Sequence, residues 1–210
     1  MQKLDHNSYL SLREGANVLE ADRKGEKVLR LTDGSILKLF RRKRLLTSAL
    51  WAPYAERFAD NCQTLRERGI ECPQVRQVYR IPDIERDAVH YDPLPGRTLR
   101  QLLDAEGHDD LRARLGAFVA QLHQAGIYFR SAHLGNLVLT PENTLGLIDI
   151  ADLRAYPKPL RKSLRLRNFK HMLRYRQDRE WLLKDNQFLE HYLGGQNVCD
   201  ARELNVVLGA

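Results

Sequence analysis

The chain has 210 residues, 43% hydrophobic and 29% charged, which suits one domain or one two-lobed unit. No apolar run approaches the ~20 residues that a membrane-spanning helix needs. Met1-Gln2-Lys3-Leu4-Asp5-His6 lacks the apolar core of a secretory signal, so a cytoplasmic location is expected. The formal net charge is +7, and residues 157–180, with nine Lys or Arg against Asp178 and Glu180, carry all of that excess. Such a segment expects an anionic partner (phosphorylated lipid, a membrane surface or nucleic acid) or is simply a solvated helix face. Cys62, Cys72 and Cys199 have no metal-type spacing and read as reduced, structural thiols.

Three short strands come first: Asn17–Asp22, Lys27–Leu31 after a turn at Arg23-Lys24-Gly25, and Ser35–Phe40 after Asp33-Gly34. Asp-Gly between alternating apolar residues is a hairpin signal. Trp51, Tyr54, Phe58, Cys62 and Leu65 then recur at three and four, the period of one helix face. Pro53 suits that helix's first turn, and Gly69 suits the position just past its end. Strand-like runs at Val75–Ile81 and Asp87–Tyr91 follow, split at Pro82-Asp83.

Pro93-Leu94-Pro95-Gly96 then breaks the pattern. The expected division is an N-terminal lobe over 1–92, a hinge over 93–96 and a C-terminal lobe over 97–210. Thr98-Leu99-Arg100-Gln101 has capping-box spacing and predicts a helix start. Leu111, Leu115, Phe118 and Leu122 form the stripe of the next helix. Leu137–Leu139 and Leu145–Ile148 flank a turn at Pro141-Glu142-Asn143, and the chain after Pro159 reads as basic helix. In that region Leu166, Phe169 and Leu173 form one stripe, which either packs the lobe or lies at a membrane interface. Trp181, Leu182, Phe188, Leu189, Tyr192 and Leu193 read as core. Strands first and helices later predict an α+β fold.

The stretch Leu122-His123-Gln124-Ala125-Gly126-Ile127-Tyr128-Phe129-Arg130-Ser131-Ala132-His133-Leu134-Gly135-Asn136 resembles the catalytic loop of protein kinases and their small-molecule relatives. Those carry Leu-His near a helix end, then His-Arg-Asp, then Asn five positions after the Asp. Here Phe129-Arg130-Ser131 takes the middle positions and Asn136 the last. Leu147-Ile148-Asp149-Ile150-Ala151 resembles the Asp-Phe-Gly region, and Ser35-Ile36-Leu37-Lys38 resembles the Val-Ala-Ile-Lys strand. Glu56 lies on the following helix.

The resemblance implies a two-lobed protein-kinase-like fold, an N-terminal antiparallel sheet with one helix and a mainly helical C-terminal lobe. It also implies binding of ATP and Mg²⁺. Lys38 would hold phosphates with Glu56 steadying it, and Asn136 and Asp149 would ligate Mg²⁺, a hard ion that takes oxygen ligands. Taken alone, Lys38 reads better as a lysine that snorkels from a strand to solvent, and Asn136 and Asp149 in place turn the reading towards nucleotide.

Two departures stand out. Ser131 occupies the position of the catalytic Asp, and a serine hydroxyl is not a base near neutral pH. Losing a general base costs roughly 10²–10⁴ in rate, although loose phosphoryl transfer needs little early proton removal. His133 and Asp152 are the candidates to compensate, against ordinary readings as a loop histidine and a helix cap. In place of a glycine-rich phosphate loop the chain offers Gly25, which reads equally as a hairpin glycine.

Within kinase-like proteins the chain looks similar to the bacterial lipopolysaccharide core sugar kinases, in the branch named toluene tolerance proteins. The carrying residues are Lys38-Leu39-Phe40-Arg41-Arg42-Lys43-Arg44, Tyr54-Ala55-Glu56-Arg57-Phe58 and Phe129 to Asn136. That resemblance implies a cytoplasmic protein peripheral on the inner membrane, phosphorylating a sugar of a phosphorylated glycolipid. Arg41 to Arg44, Arg161, Lys162, Arg165, Arg167, Lys170 and Arg174 would meet the anionic surface. The alternatives are a pseudokinase that binds nucleotide or a partner, and a basic nucleic-acid-binding protein of another fold. The last rests on charge alone, without an RNA-binding or helix-turn-helix signature.

Overall fold

The computed structural model describes residues 1–42, 53–103 and 110–194, and the chain forms two compact units, Met1–Leu94 and Pro95–Ala210. The α+β arrangement expected from the order of elements is present: an antiparallel-rich sheet first, then mainly helix. No helix among the described residues is long and apolar enough to cross a membrane.

In the first unit, strands β1 (Gln2–Lys3), β2 (Asn17–Asp22), β3 (Gly25–Arg30), β4 (Ile36–Arg41), β5 (Gln74–Ile81) and β6 (Arg86–Asp92) form one sheet in the order β1-β5-β6-β4-β3-β2. Every pairing is antiparallel except β1 with β5. The β2–β3 turn is tighter than its sequence suggests, since Asp22 pairs directly with Gly25 and only Arg23 and Lys24 lie between. Asp22 Oδ1 accepts the Lys24 N–H at 2.8 Å. At the β3–β4 turn, Asp33 accepts both the N–H (3.0 Å) and hydroxyl (2.5 Å) of buried Ser35, whose Oγ also meets His90 Nε2 at 2.8 Å.

Alternation along β4 splits the sheet into two faces. Leu37 and Leu39 join Tyr9, Leu29, Leu31, Ile81 and Ala88 in a core on one face. Tyr9 belongs to helix α1 (His6–Leu12), which the reading above does not anticipate. Its sequence signal is Asp5, whose carboxylate accepts the Ser8 N–H at 2.9 Å. Ile36, Lys38 and Phe40 point to the other face. There helix α2 (Tyr54–Glu67) buries Ala55, Phe58, Cys62 and Leu65, and Phe40 stacks on Tyr54 at 6.2 Å. Cys62 and Cys72 are free and buried, as a structural reading expects. Trp51, Lys43, Arg44 and Cys199 lie outside the described residues.

In the second unit, β7 (Arg97–Thr98), β9 (Leu137–Leu139) and β10 (Leu145–Leu147) form a three-stranded sheet, and β8 (Ile127–Tyr128) pairs with β11 (Arg154–Ala155). The capping box at Thr98 is made, with Gln101 reciprocating, but it heads a 3₁₀ turn over Leu99–Leu102. Helix α3 (Leu111–Gln124) buries Leu111, Leu115, Phe118 and Leu122 as its stripe predicts. Helices α4 (Lys162–Met172), α5 (Arg176–Leu182) and α6 (Gln187–Gly194) complete the unit.

Helix α4 does not bury the Leu166, Phe169, Leu173 stripe. Its buried residues are Arg165, Asn168, Phe169 and Met172, while Leu166 and Leu173 are half-buried. The helix is rotated because two polar side chains have inward partners. Arg165, fully buried, donates through Nε to the Leu160 carbonyl at 2.7 Å, so it is not a surface cation. Asn168 bonds the backbone of Phe129 in both directions, Nδ2 to the carbonyl at 2.7 Å and N–H to Oδ1 at 3.4 Å. Of the expected core residues beyond it, Leu182, Phe188 and Tyr192 are buried, whereas Trp181, Leu189 and Leu193 are half-buried.

Helix α6 runs against α3 at backbone range. A Cβ on Gly116 would lie 2.2 Å from the Phe188 carbonyl oxygen, inside any allowed contact. Between these helices His123 is fully buried, with Nε2 3.2 Å from Asn168 Oδ1 and Nδ1 2.9 Å from Tyr192 Oη. Asn168 Oδ1 can only accept, so Nε2 carries the proton and Nδ1 accepts from the tyrosine. Burial pushes the His123 pKa down to about 3.

Two outcomes follow from this packing. Gly116→Ala should cost about 1–3 kcal/mol by overpacking, read as a lower urea midpoint at unchanged slope. His123 has a folded-state pKa below its unfolded value of about 6.5, so the unfolded chain takes up the proton first. Its stabilisation is whole above pH 6.5 and is lost towards pH 3 at about 1.4 kcal/mol per pH unit. Urea titrations from pH 7 to 5 should therefore show a steeper loss for wild type than for His123→Gln.

Candidate active site

In the first unit, Lys38 lies mid-strand on β4, half-buried, with its Nζ 5.8 Å from the centre of the Phe40 ring. It shares the sheet face that α2 covers. Glu56, in the first turn of α2, reaches the same side, where its carboxylate is 3.8 Å from the Met1 amino group. Gly25 opens β3 with φ +111°, a backbone conformation that side-chain-bearing residues rarely adopt. It lines a groove with His6, Arg13, Lys24 and Arg86, so its surroundings include the unanticipated helix α1.

In the second unit, residues 129–136 run without a strand partner, and side chains from far along the chain hold them. Asn168 takes the Phe129 peptide, as described. The fully buried Asp178 accepts the Leu134 N–H at 2.9 Å and both Nε (3.1 Å) and Nη2 (2.7 Å) of Arg100. Breaking such a pair by removing one partner typically costs about 3–5 kcal/mol. Sequence reading singled out neither Asn168 nor Asp178. Both lie among charged and polar neighbours in sequence, so no apolar periodicity marks them as inward-facing.

Within this frame Ser131 contacts both Asn136 and Asp152. The Ser131 carbonyl accepts from His133 N at 2.8 Å and from Asn136 Nδ2 at 3.0 Å. The Asn136 carbonyl accepts from Ile148 N at 3.0 Å, which ties the loop to the end of β10, one residue before Asp149. Asp149 is exposed and left-handed (φ 54°, ψ 47°), a conformation uncommon outside glycine and one found disproportionately at functional sites.

Ser131 Oγ donates to Asp152 Oδ2 at 2.7 Å, a contact between residues 21 apart in sequence. Asp152 lies in the 3₁₀ turn Ile150–Asp152, and its buried Oδ1 has no hydrogen-bond partner. His133 is half-buried, with its ring edge-on to Tyr175 at 5.2 Å. Its Nδ1 also lacks a partner, and burial, then the Arg100 charge, hold its pKa below the ordinary imidazole value.

Among the described residues no group of three or more His, Cys, Asp or Glu could by itself hold a metal ion. The residue types of Asn136 and Asp149, one amide and one carboxylate, suit a different case, a Mg²⁺ that keeps waters and shares phosphate oxygens with its substrate. On and beside α4, Arg161, Lys162, Arg167, Lys170 and Arg174 are all exposed.

No curated protein matches the chain. A family model described as the phosphotransferase enzyme family, APH, matches residues 16–185. That span covers β2 through α5 and includes Lys38, Asn136 and Asp149, so the chain belongs to the APH phosphotransferase family, within the protein-kinase-like superfamily.

Proposed function

We propose that the protein transfers the γ-phosphoryl group of ATP, with Mg²⁺, to a sugar hydroxyl of a phosphorylated glycolipid of the lipopolysaccharide-core type. Family membership supports phosphotransfer. The observation that supports the nucleotide role is the backbone bond from Ile148 N to the Asn136 carbonyl, which ties the Asn136 loop to the strand end that leads into the exposed, left-handed Asp149. In this reading Asn136 and Asp149 hold Mg²⁺, which neutralises charge on the phosphates. Lys38 binds phosphate oxygens, Glu56 steadies the face from which Lys38 projects, and Gly25 lets backbone approach. The sugar acceptor rests on resemblance in the 38–44, 54–58 and 129–136 segments.

The exposed cations of α4 supply the attachment to an anionic inner-membrane surface from the cytoplasm. Arg165 takes no part, being buried. A pseudokinase is the second reading, favoured by the hydroxyl of Ser131 standing where a carboxylate is expected.

Two measurements test the proposal. ATP with Mg²⁺ should raise the melting temperature at millimolar concentration, and Asp149→Ala should abolish the Mg²⁺-dependent part while Lys38→Met weakens binding with or without metal. No shift in wild type would end the nucleotide reading. For the membrane, Arg167→Ala with Lys170→Ala should weaken binding to vesicles rich in phosphatidylglycerol by about 30-fold, at about 1 kcal/mol per cation. Binding unchanged by those substitutions, or by 0.5 M salt, would contradict attachment through α4.

A further inference from the structure

Transfer to a hydroxyl needs a group that orients the O–H and takes its proton, and the described residues around Asn136 and Asp149 offer three. Ser131 is one, but its hydroxyl proton is already given to Asp152 Oδ2 at 2.7 Å. A hydroxyl is also too weak a base near neutral pH. His133 is another. Its ring sits edge-on to Tyr175, and burial together with Arg100 opposes the imidazolium that proton uptake would create. The third is Asp152. One of its oxygens is fixed by Ser131, while the other, Oδ1, is buried and has no donor. A carboxylate oxygen out of water without a donor is an unmet acceptor, and a substrate hydroxyl is a donor of the right kind.

We infer that Asp152 is the general base of the reaction and that Ser131 is a positioning residue that aims its carboxylate. The inference rests on the phosphotransferase reading and adds to it the source of the proton acceptor. In the step, the acceptor O–H bond breaks and its proton passes to Asp152 Oδ1. The acceptor oxygen bonds to the γ-phosphorus, and the bond from that phosphorus to the β–γ bridging oxygen breaks, the electron pair leaving with ADP. Loose phosphoryl transfer asks little early proton removal, so orienting the hydroxyl is much of what the carboxylate does.

The pair also explains why position 131 is not itself acidic. Two carboxylates at this separation would share a proton, and the ionised one would be held by its neighbour's acid proton instead of facing the acceptor. A serine opposite Asp152 instead fills the contact with a donor. The function of the site then depends on one carboxylate and one hydroxyl in contact, and either chain position could carry either group.

The experiment uses the full chain with MgATP and water as acceptor, reading inorganic phosphate release, with MgATP thermal shift as a separate readout of binding. Asp152→Asn should lower kcat roughly 10²- to 10⁴-fold with KM for ATP within about threefold. Ser131→Ala should lower kcat about 10- to 100-fold through misplacement, again with KM held. Ser131→Asp alone should not raise the rate. The exchange, Ser131→Asp with Asp152→Ser, should recover kcat to within about tenfold of wild type, which a merely structural hydrogen bond would not predict.

The inference is overturned if Asp152→Asn keeps wild-type kcat, or if Ser131→Asp alone creates or raises turnover. It is also overturned if His133→Gln removes the activity that Asp152→Asn retains. An exchange variant that binds MgATP yet stays as slow as Asp152→Asn overturns it too, as does a wild type that binds MgATP and releases no phosphate. Absence of any MgATP shift in wild type fails the phosphotransferase reading itself, and this assignment with it.

Discussion

The segment from Phe129 to Asn136 has no strand partner, yet its backbone is largely buried and must find hydrogen bonds. Two side chains solve most of that problem from a distance. Asn168 on α4 takes both groups of the Phe129 peptide, and Asp178 on α5 takes the Leu134 N–H while its charge is met by Arg100. With the two ends held, the turns inside the segment close on the Ser131 carbonyl, and Asn136 is delivered to the end of β10. The placement of Ser131, His133 and Asn136 follows from these bonds.

That dependence gives the helices of the second unit a role beyond enclosing a core. Helix α4 is rotated away from its most apolar stripe so that Asn168 can face inward, and burial keeps His123 neutral while Asn168 and Tyr192 supply its hydrogen-bond partners. The same rotation sorts the basic residues. Arg165 is drawn inside to the Leu160 carbonyl, while Arg167 and Lys170 remain exposed. A charge run in sequence therefore resolves into one structural cation and a set of surface cations.

Much of the architecture is legible in the sequence where one local rule governs. Alternation gives β2, β4, β5 and β6, the 3.6 period gives α2 and α3, and Asp33-Gly34 gives a turn. Asn136 and Asp149 stand out because their spacing is set by a loop and a hairpin. The misses have a common physical origin. Helix α1 is only seven residues long and is held by an Asp5 cap and one buried tyrosine, too little for a periodic signal. The face of α4, the anchors Asn168 and Asp178, and the Ser131–Asp152 contact all arise from polar groups that meet across 21 to 44 residues of chain, which no local pattern encodes. Ser131 has a carboxylate in hydrogen-bond contact, that of Asp152, carried by a different element.

In the proposed reading Asn136 and Asp149 hold a divalent cation brought with ATP. Paramagnetic broadening of backbone amide resonances by MnATP tests it most directly. The account predicts broadening concentrated at residues 131–136 and 148–152. Broadening confined to the basic residues 161–174, or spread evenly over the chain, would contradict it.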